Sequence, residues 1–171
     1  ESEEHISPTT SISITKVLNE VISSLNKRNM IKNHKIIIKD RRKQTSRGFD
    51  LFIGNSDEMY EVFFNLIENA IKYSNLNSII NVNISLRAKG YFVIDIINRG
   101  EGISLENINR VTERFFRVDK ARSRKIGGTG LGLAIVKHIL IKHKGKLKIF
   151  SERNKKTIFS VLLPSFHNNN K

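Results

Sequence analysis

Residues 127–135 read Gly-Gly-Thr-Gly-Leu-Gly-Leu-Ala-Ile, with four glycines inside six positions and an apolar run that starts at once. Glycine within a helix costs about 1 kcal/mol against alanine, so crowding it against a helix start needs a reason. Either the backbone turns sharply for packing, or something approaches bare N–H groups closely. The stretch is not a Walker loop, because no Gly-Lys-Ser/Thr closes it, and it is not Gly-x-Gly-x-x-Gly after a strand. It does put free N–H groups at a helix N-terminus, where the dipole favours phosphate. Just upstream, Arg117 to Lys125 supply further cations.

Outward from this run, the helix it opens (from about residue 130) extends to Gly145, which reads as its C-cap. A hairpin of Leu147–Ser151 and Thr157–Leu163 follows, closed by Pro164. On the other side lie a short helix over 104–112 and a strand over Tyr91–Ile97. The turn Lys89-Gly90 joins that strand to a half-buried one, in which Val82, Ile84 and Leu86 alternate with polar residues. The strongest helix covers 56–73, with Asn55 as N-cap and Glu58 completing a capping pair. Before it come strands at Lys35–Lys39 and Phe49–Ile53, and a helix over 13–29 with Ile14, Val17, Leu18, Val21, Ile22 and Leu25 at helical spacing. Residues 1–12 read as a polar linker remnant, 13–164 as one domain, and 165–171 as a polar tail. Mixed helices and mostly hairpin-linked strands predict an α/β two-layer sandwich, a mainly antiparallel sheet covered on one face by about three helices.

Composition narrows the class. The 171 residues are 39% hydrophobic and 27% charged, as in an ordinary soluble domain. No run reaches the roughly 18 apolar residues of a membrane span, so no direct membrane contact is expected of this segment. There is no cysteine, which removes disulfides and thiolate metal sites. His138 and His143, five apart, have no partner carboxylate and read as a solvated helix face. The net charge of +14 raises the question of a polyanionic partner. Cations cluster at 41–47, at 110–125 and again at 137–148. The chain offers no reading helix and no aromatic stacking platform, so nucleic acid is not expected.

Two further constellations carry chemistry. On the helix at 56–73, Met59, Val62, Phe63, Leu66, Ile67 and Ala70 span one apolar arc, and Asn65, Asn69 and Lys72 fall within about 40° of one line beside it. Amide oxygens bind Mg²⁺ and lysine supplies a point charge, so this stripe suits a metal-bound phosphate. Glu68 is turned away from that line. Tyr73 lies between the stripe and the arc, where a ring can stack on a base. The second is Asn98-Arg99-Gly100-Glu101-Gly102-Ile103, where Asn98 continues the inward parity of Phe92, Ile94 and Ile96. A buried amide there has a donor and an acceptor to offer a heterocycle, and Gly100 and Gly102 let the backbone pass close to a flat ring.

Taken in order, these segments resemble one family. NLIENAIKYS (65–74) resembles the asparagine box of sensor histidine kinases, and NRGEGI (98–103) their first glycine box. ERFFRVDKARS (113–123) is similar to their phenylalanine box and early lid, and GGTGLGLAIVKHI (127–139) to their second glycine box. The resemblance runs from about residue 13 to 164 and implies the Bergerat ATP-binding fold shared with gyrase, heat-shock chaperones and mismatch-repair ATPases. It implies ATP and Mg²⁺ as ligands, Asn69 on the metal with Asn65 nearby, Lys72 on phosphate, and Tyr73 on the adenine. It implies Arg117 as a γ-phosphate contact and Thr157 near the adenine edge. By the same resemblance Asn98, Gly100, Gly102 and Ile103 border the base. Gly128, Thr129, Gly130, Leu131 and Gly132 cradle phosphates while a flexible lid around 117–127 closes.

ATPase relatives carry Glu four residues before the metal-binding Asn; here that position is Asn65, which cannot take a proton at neutral pH. Slow hydrolysis and transfer to a protein acceptor are therefore expected, since phosphoryl transfer needs positioning and charge neutralisation more than a base. The resemblance gives Glu68 a role facing an acceptor histidine. Two departures stand out. Asn98 replaces the family's usual Asp, which predicts weaker or less adenine-selective binding, and no phosphoacceptor box is present; His5 has neither the context nor the helical setting. The expected partners are dimerisation and phosphoacceptor helices outside this chain and a response regulator. The expected setting is the cytoplasmic side of a homodimeric bacterial parent. A degenerate nucleotide-binding module that signals without transfer is the alternative.

Overall fold

The structure, a computed structural model, describes residues 10–42, 51–87, 91–118 and 128–165. Residues 1–9, Lys43, Arg47, Lys89 and Gly90 lie outside that set, as do Lys120, Arg122, Arg124, Lys125 and Gly127 of the lid and tail residues 166–171.

A five-stranded sheet forms one layer in the order β2-β4-β5-β7-β6. These strands are β2 (Lys35–Asp40), β4 (Ile79–Arg87), β5 (Tyr91–Asn98), β6 (Lys146–Glu152) and β7 (Lys156–Pro164). Only β2 and β4 run parallel; every other pairing is antiparallel. A small second sheet pairs β1 (Thr10–Ser13) with β3 (Leu51–Gly54). Residues 10–12, read from the sequence as linker, are therefore part of a strand. The polar composition hid one anchor: Ile12 sits opposite Phe52 and is buried.

Helices α1 (Ile14–Lys27), α2 (Ser56–Lys72) and α4 (Gly132–Lys142) supply the core face of the other layer. The apolar positions of α1 and α2 that the 3.6-residue period selects are all buried, apart from half-buried Ile22 on α1. Against them stands the inner face of the sheet. One row crosses all five strands, from Ile38 through Val82, Ile96 and Phe159 to Ile149. At one end that face turns polar: Asn98, Thr157 and Ser151 stand side by side on β5, β7 and β6, and all three are buried.

Three local readings change. The short helix is α3 (Leu105–Ile108), one turn without a side-chain cap, followed by turns rather than helix to 112. Gly145 is not the left-handed C-cap; Lys144 takes φ 55° and Gly145 N–H donates to Leu140 O at 2.7 Å. The Asn55–Glu58 pair is only half formed. Asn55 Oδ1 accepts from Asp57 N and Glu58 N at 2.9 and 3.0 Å. The Glu58 carboxylate turns instead to Lys142, with Oε1 at 2.6 Å from Nζ.

Candidate functional site

A cavity of about 420 Å³ opens between α2, the start of α4 and the polar end of the sheet. That volume falls in the range of small-molecule sites, about 300–1,000 Å³. Asn65, Asn69 and Lys72 form its α2 wall, as their shared stripe requires. Glu68 lines it too, so the sequence reading that turned Glu68 away is corrected. Its Oε1 lies 3.0 Å from Lys72 Nζ one turn later, with both side chains about four-fifths buried (23% and 20% exposed). Tyr73, the C-cap of α2, is 43% exposed and lines the same space.

The sheet end supplies the opposite wall. Asn98 is 3% exposed, and its side chain makes no hydrogen bond to a described residue. Its amide lies against the cavity, so both its donor and its acceptor are available to a ligand there. Beside it, Thr157 Oγ1 and Ser151 Oγ share a hydrogen bond of 2.8 Å, and Ser151 Oγ also accepts from Ile103 N at 2.8 Å. Ser151 thus fastens the loop carrying Gly102 and Ile103 to the sheet. No local pattern marks Ser151 for this role, since a serine in an alternating strand reads as filler until its partners are known. Gly102, Ile103 and Thr157 reach the cavity; Gly100 does not. The absent side chain at Gly100 serves the fold, because a Cβ there would collide with the Tyr73 carbonyl at the end of α2.

The glycine run closes the third side. Gly128, Thr129, Gly130 and Gly132 line the cavity, whereas Leu131 does not and serves as N-cap of α4. No side chain caps that helix, so its first-turn N–H groups are left for a ligand. Gly130 adopts φ 74°, a left-handed conformation natural to glycine, and its carbonyl accepts from Phe115 N at 2.9 Å. Phe115 is itself left-handed at φ 64°, so the turn fixes the segment that leads to Arg117, another lining residue. Gly132 leaves room for the Asn65 amide: a Cβ there would lie 2.6 Å from Asn65 Oδ1 and would displace it. Asn65 cannot swing aside freely, because its Nδ2 donates to Glu61 O at 2.9 Å.

One residue sets the relation of α2 to α4 and was missed. His143 was read as part of a solvated face, yet it is 4% exposed. Its Nδ1 lies 2.9 Å from Ile139 O, and its Nε2 accepts from Asn55 N at 3.1 Å. The C-terminal end of α4 is thereby latched to the N-cap of α2. Histidine spacing alone could not reveal this, because the partner amide is 88 residues away; a carboxylate is also near after all, with Glu58 Oε2 3.5 Å from Nε2. His138, by contrast, is exposed as expected.

The chemistry of the donors suits a nucleoside triphosphate. Amide oxygens and a lysine line one wall, uncapped helix N–H groups another, and the Asn98 amide the sheet end. Among the described residues, no group of three or more His, Cys, Asp or Glu side chains is placed to hold a metal. A cation here would rest on amide and phosphate oxygens, which suits Mg²⁺. Among the described residues no helix is long and apolar enough to cross a membrane.

Comparison with known proteins agrees with this geometry. The family described as histidine kinase-, DNA gyrase B-, and HSP90-like ATPase matches residues 54–167. The sensor-like histidine kinase SenX3 of Mycolicibacterium smegmatis is 43% identical over 115 residues, 67% of this chain and 29% of its own length. The phosphate regulon sensor protein PhoR of Haemophilus influenzae is 40% identical over 114 residues, 67% of this chain and 27% of its own. The chain thus spans under a third of these relatives. Among solved structures, a mycobacterial sensor histidine kinase, MprB, superposes with a TM-score of 0.76 at 24% identity, covering 92% of this chain and 97% of its own. The catalytic domain of histidine kinase ThkA gives 0.75 at 20%, covering 91% and 95%. At these identities the superpositions establish the fold, an α/β sandwich of the histidine kinase catalytic type.

Proposed function

The chain belongs to the histidine kinase-, DNA gyrase B-, and HSP90-like ATPase family, and from that premise we propose that it is the catalytic, ATP-binding domain of a sensor histidine kinase. It binds Mg²⁺-ATP and delivers the γ-phosphate to a histidine on dimerisation helices of the parent protein, for passage to a response regulator. The supporting observation is convergence: Asn69, Lys72, Asn98 and the uncapped start of α4, far apart in sequence, wall one cavity. That the relatives sharing this segment are named as sensor kinases also supports the reading.

Bound together, Mg²⁺ and ATP supply the phosphoryl group and its charge compensation; the residues of this chain supply position. Asn69 offers its amide oxygen to the metal. Asn65 braces the phosphate wall, with its Oδ1 against Gly132 and its Nδ2 held by Glu61. Because the Asn65 amide cannot accept a proton at neutral pH, water finds no base at that position, and transfer is favoured over hydrolysis. Lys72, held by Glu68 in the free protein, exchanges that carboxylate for phosphate oxygens. Glu68 is then free to accept a proton or a hydrogen bond from an incoming histidine. Arg117 and the amides of Gly128–Gly132 neutralise the far phosphate, as preorganised donors do in phosphoryl transfer. Asn98 and Thr157 take the base edge, and Tyr73 its face.

The test is transfer in trans. The chain is mixed with a histidine-bearing dimerisation domain of its parent protein and γ-labelled ATP. Acid-labile, base-stable label on that domain, reduced at least tenfold by Glu68→Gln, is the expected result. Rapid ATP hydrolysis without any labelled histidine would contradict the proposal.

A further inference from the structure

Among the described residues the nucleotide site is lined by the cations Lys72 and Arg117, and those at 137–148 do not line it. Three of them, Lys137 on α4 and Lys146 and Lys148 on β6, line a separate groove of about 640 Å³. It runs between the outer edge of β6, the exposed side of α4 and the turns at 108–112. Among the described residues no carboxylate lines it.

Strand β6 is last in the sheet and, among the described residues, pairs on one side only, with β7. Its other edge presents backbone N–H and C=O groups at the Lys146–Ile149 end that lines the groove, while the 102–108 segment lies against the Ser151–Glu152 end. The inward side chains of β6 are incompletely covered. Leu147 and Ile149 remain half-buried, while their cross-strand partners Val161 and Phe159 are 0% and 5% exposed. At the groove rim Ile141 of α4 is 65% exposed. The edge therefore combines open main-chain groups, an apolar floor on the helix side and lysines alternating with that floor.

We propose that this edge binds an extended segment of a partner protein by strand addition, and that the segment alternates acidic and aliphatic side chains. The period of two dictates the pattern. An added strand has one set of side chains facing Leu147, Ile149 and Ile141, which calls for aliphatic residues. The alternate set lies beside Lys146 and Lys148, which calls for carboxylates. The same lysines disfavour the simplest other occupant, a second copy of this chain. Two β6 edges brought together would oppose lysine to lysine, the arrangement by which sheet proteins avoid pairing with themselves. A nucleic acid would satisfy the lysines but leave the apolar floor and the strand edge unused.

The experiment titrates the isotope-labelled chain with a blocked octapeptide of alternating glutamate and valine and follows backbone amide resonances. Saturable shifts centred on 146–150 are expected. Affinity should fall at least tenfold when alternate peptide nitrogens on the pairing edge are methylated, since that removes the donors strand addition needs. It should fall similarly in Lys146→Glu/Lys148→Glu, and less in Lys137→Glu, whose side chain lies on the helix side with the aliphatic set. These lysines are exposed, and retained dispersion of the spectrum confirms that each variant folds. The proposal is overturned by any of three results: no saturable shift at millimolar peptide, equal binding of the methylated or lysine-for-glutamate peptide, or equal binding of a single-stranded oligonucleotide at the same residues.

Discussion

Replacing Gly132 with alanine should leave stability nearly unchanged while weakening nucleotide binding, and the two effects separate because of one contact. The new Cβ would lie 2.6 Å from Asn65 Oδ1 but 3.7 Å from Asn65 Cβ, an ordinary packing distance. Only the end of the Asn65 side chain must therefore move. Moving it breaks the Asn65 Nδ2–Glu61 O bond, 2.9 Å long, at a cost of about 0.5–1.5 kcal/mol. Against this stands the helix gain of alanine over glycine, at most about 1 kcal/mol. The net change lies within about 1 kcal/mol of zero, a shift of only about 2–4 °C in Tm for a domain of this size. Asn65 no longer braces the phosphate wall, so affinity for a non-hydrolysable ATP analogue should fall about tenfold, or about 1.4 kcal/mol. With Asn65→Ala already present, no amide remains to displace, and Gly132→Ala should then stabilise by its full helix gain. Thermal or urea unfolding of the four proteins in this cycle should give a coupling energy of about 1 kcal/mol. Calorimetric titration of each protein completes the comparison. Stabilities that add within about 0.3 kcal/mol would refute the reasoning, because the contact would then carry no energy.

Four other outcomes follow from the structure. Asn98→Asp places an acceptor-only carboxylate at a buried position, so the free protein should melt lower while the rise in Tm on adding an adenine nucleotide grows; an unchanged ligand-induced shift would remove Asn98 from the base site. His143→Leu leaves the Asn55 N–H without its acceptor and should cost about 1–3 kcal/mol in urea unfolding, whereas His143→Gln, which can still accept, should recover part of that loss. Thr157→Val severs the 2.8 Å link to Ser151 and should cost about 0.5–1.5 kcal/mol while weakening nucleotide binding; retained affinity would confine Thr157 to a structural role. The Asp40 carboxyl is held below its ordinary pKa by the side-chain hydrogen bond from Arg42, partly offset by burial. Its contribution is therefore present above the unfolded carboxylate pKa and is lost as pH falls through the lower folded value. Asp40 is 37% exposed and solvent screens the pair, so Asp40→Asn should flatten the acid limb of a stability–pH curve by under about 1 kcal/mol.

Much of this was legible in the sequence because it depends on periodicity. The 100° step placed Asn65, Asn69 and Lys72 on one stripe, and the structure puts all three on the cavity wall. Strand parity turned Asn98 inward, and it is buried. What escaped depends on contacts between distant segments. His143 looked solvated because its partner, the Asn55 amide, belongs to another helix. Glu68 lies only about 40° round α2 from Lys72, and the ion pair between them keeps its carboxylate on the cavity side. Gly100 looked like a ligand contact when its crowding comes from the Tyr73 carbonyl. The open edge of β6 was invisible for the same reason, since strand order follows from topology, not from the residues of one strand.

The central claim is that α2, the Asn98 end of the sheet and the glycine turn together form one Mg²⁺-dependent ATP site. It is tested most directly by titrating the isotope-labelled chain with a non-hydrolysable ATP analogue, with and without Mg²⁺. The account expects one saturable site, with amide shifts at Asn69, Asn98, Thr157, Gly130 and Gly132, tightened by Mg²⁺, and with that tightening lost in Asn69→Ala. No saturable binding at millimolar nucleotide, or shifts confined to residues outside that cavity, would contradict it.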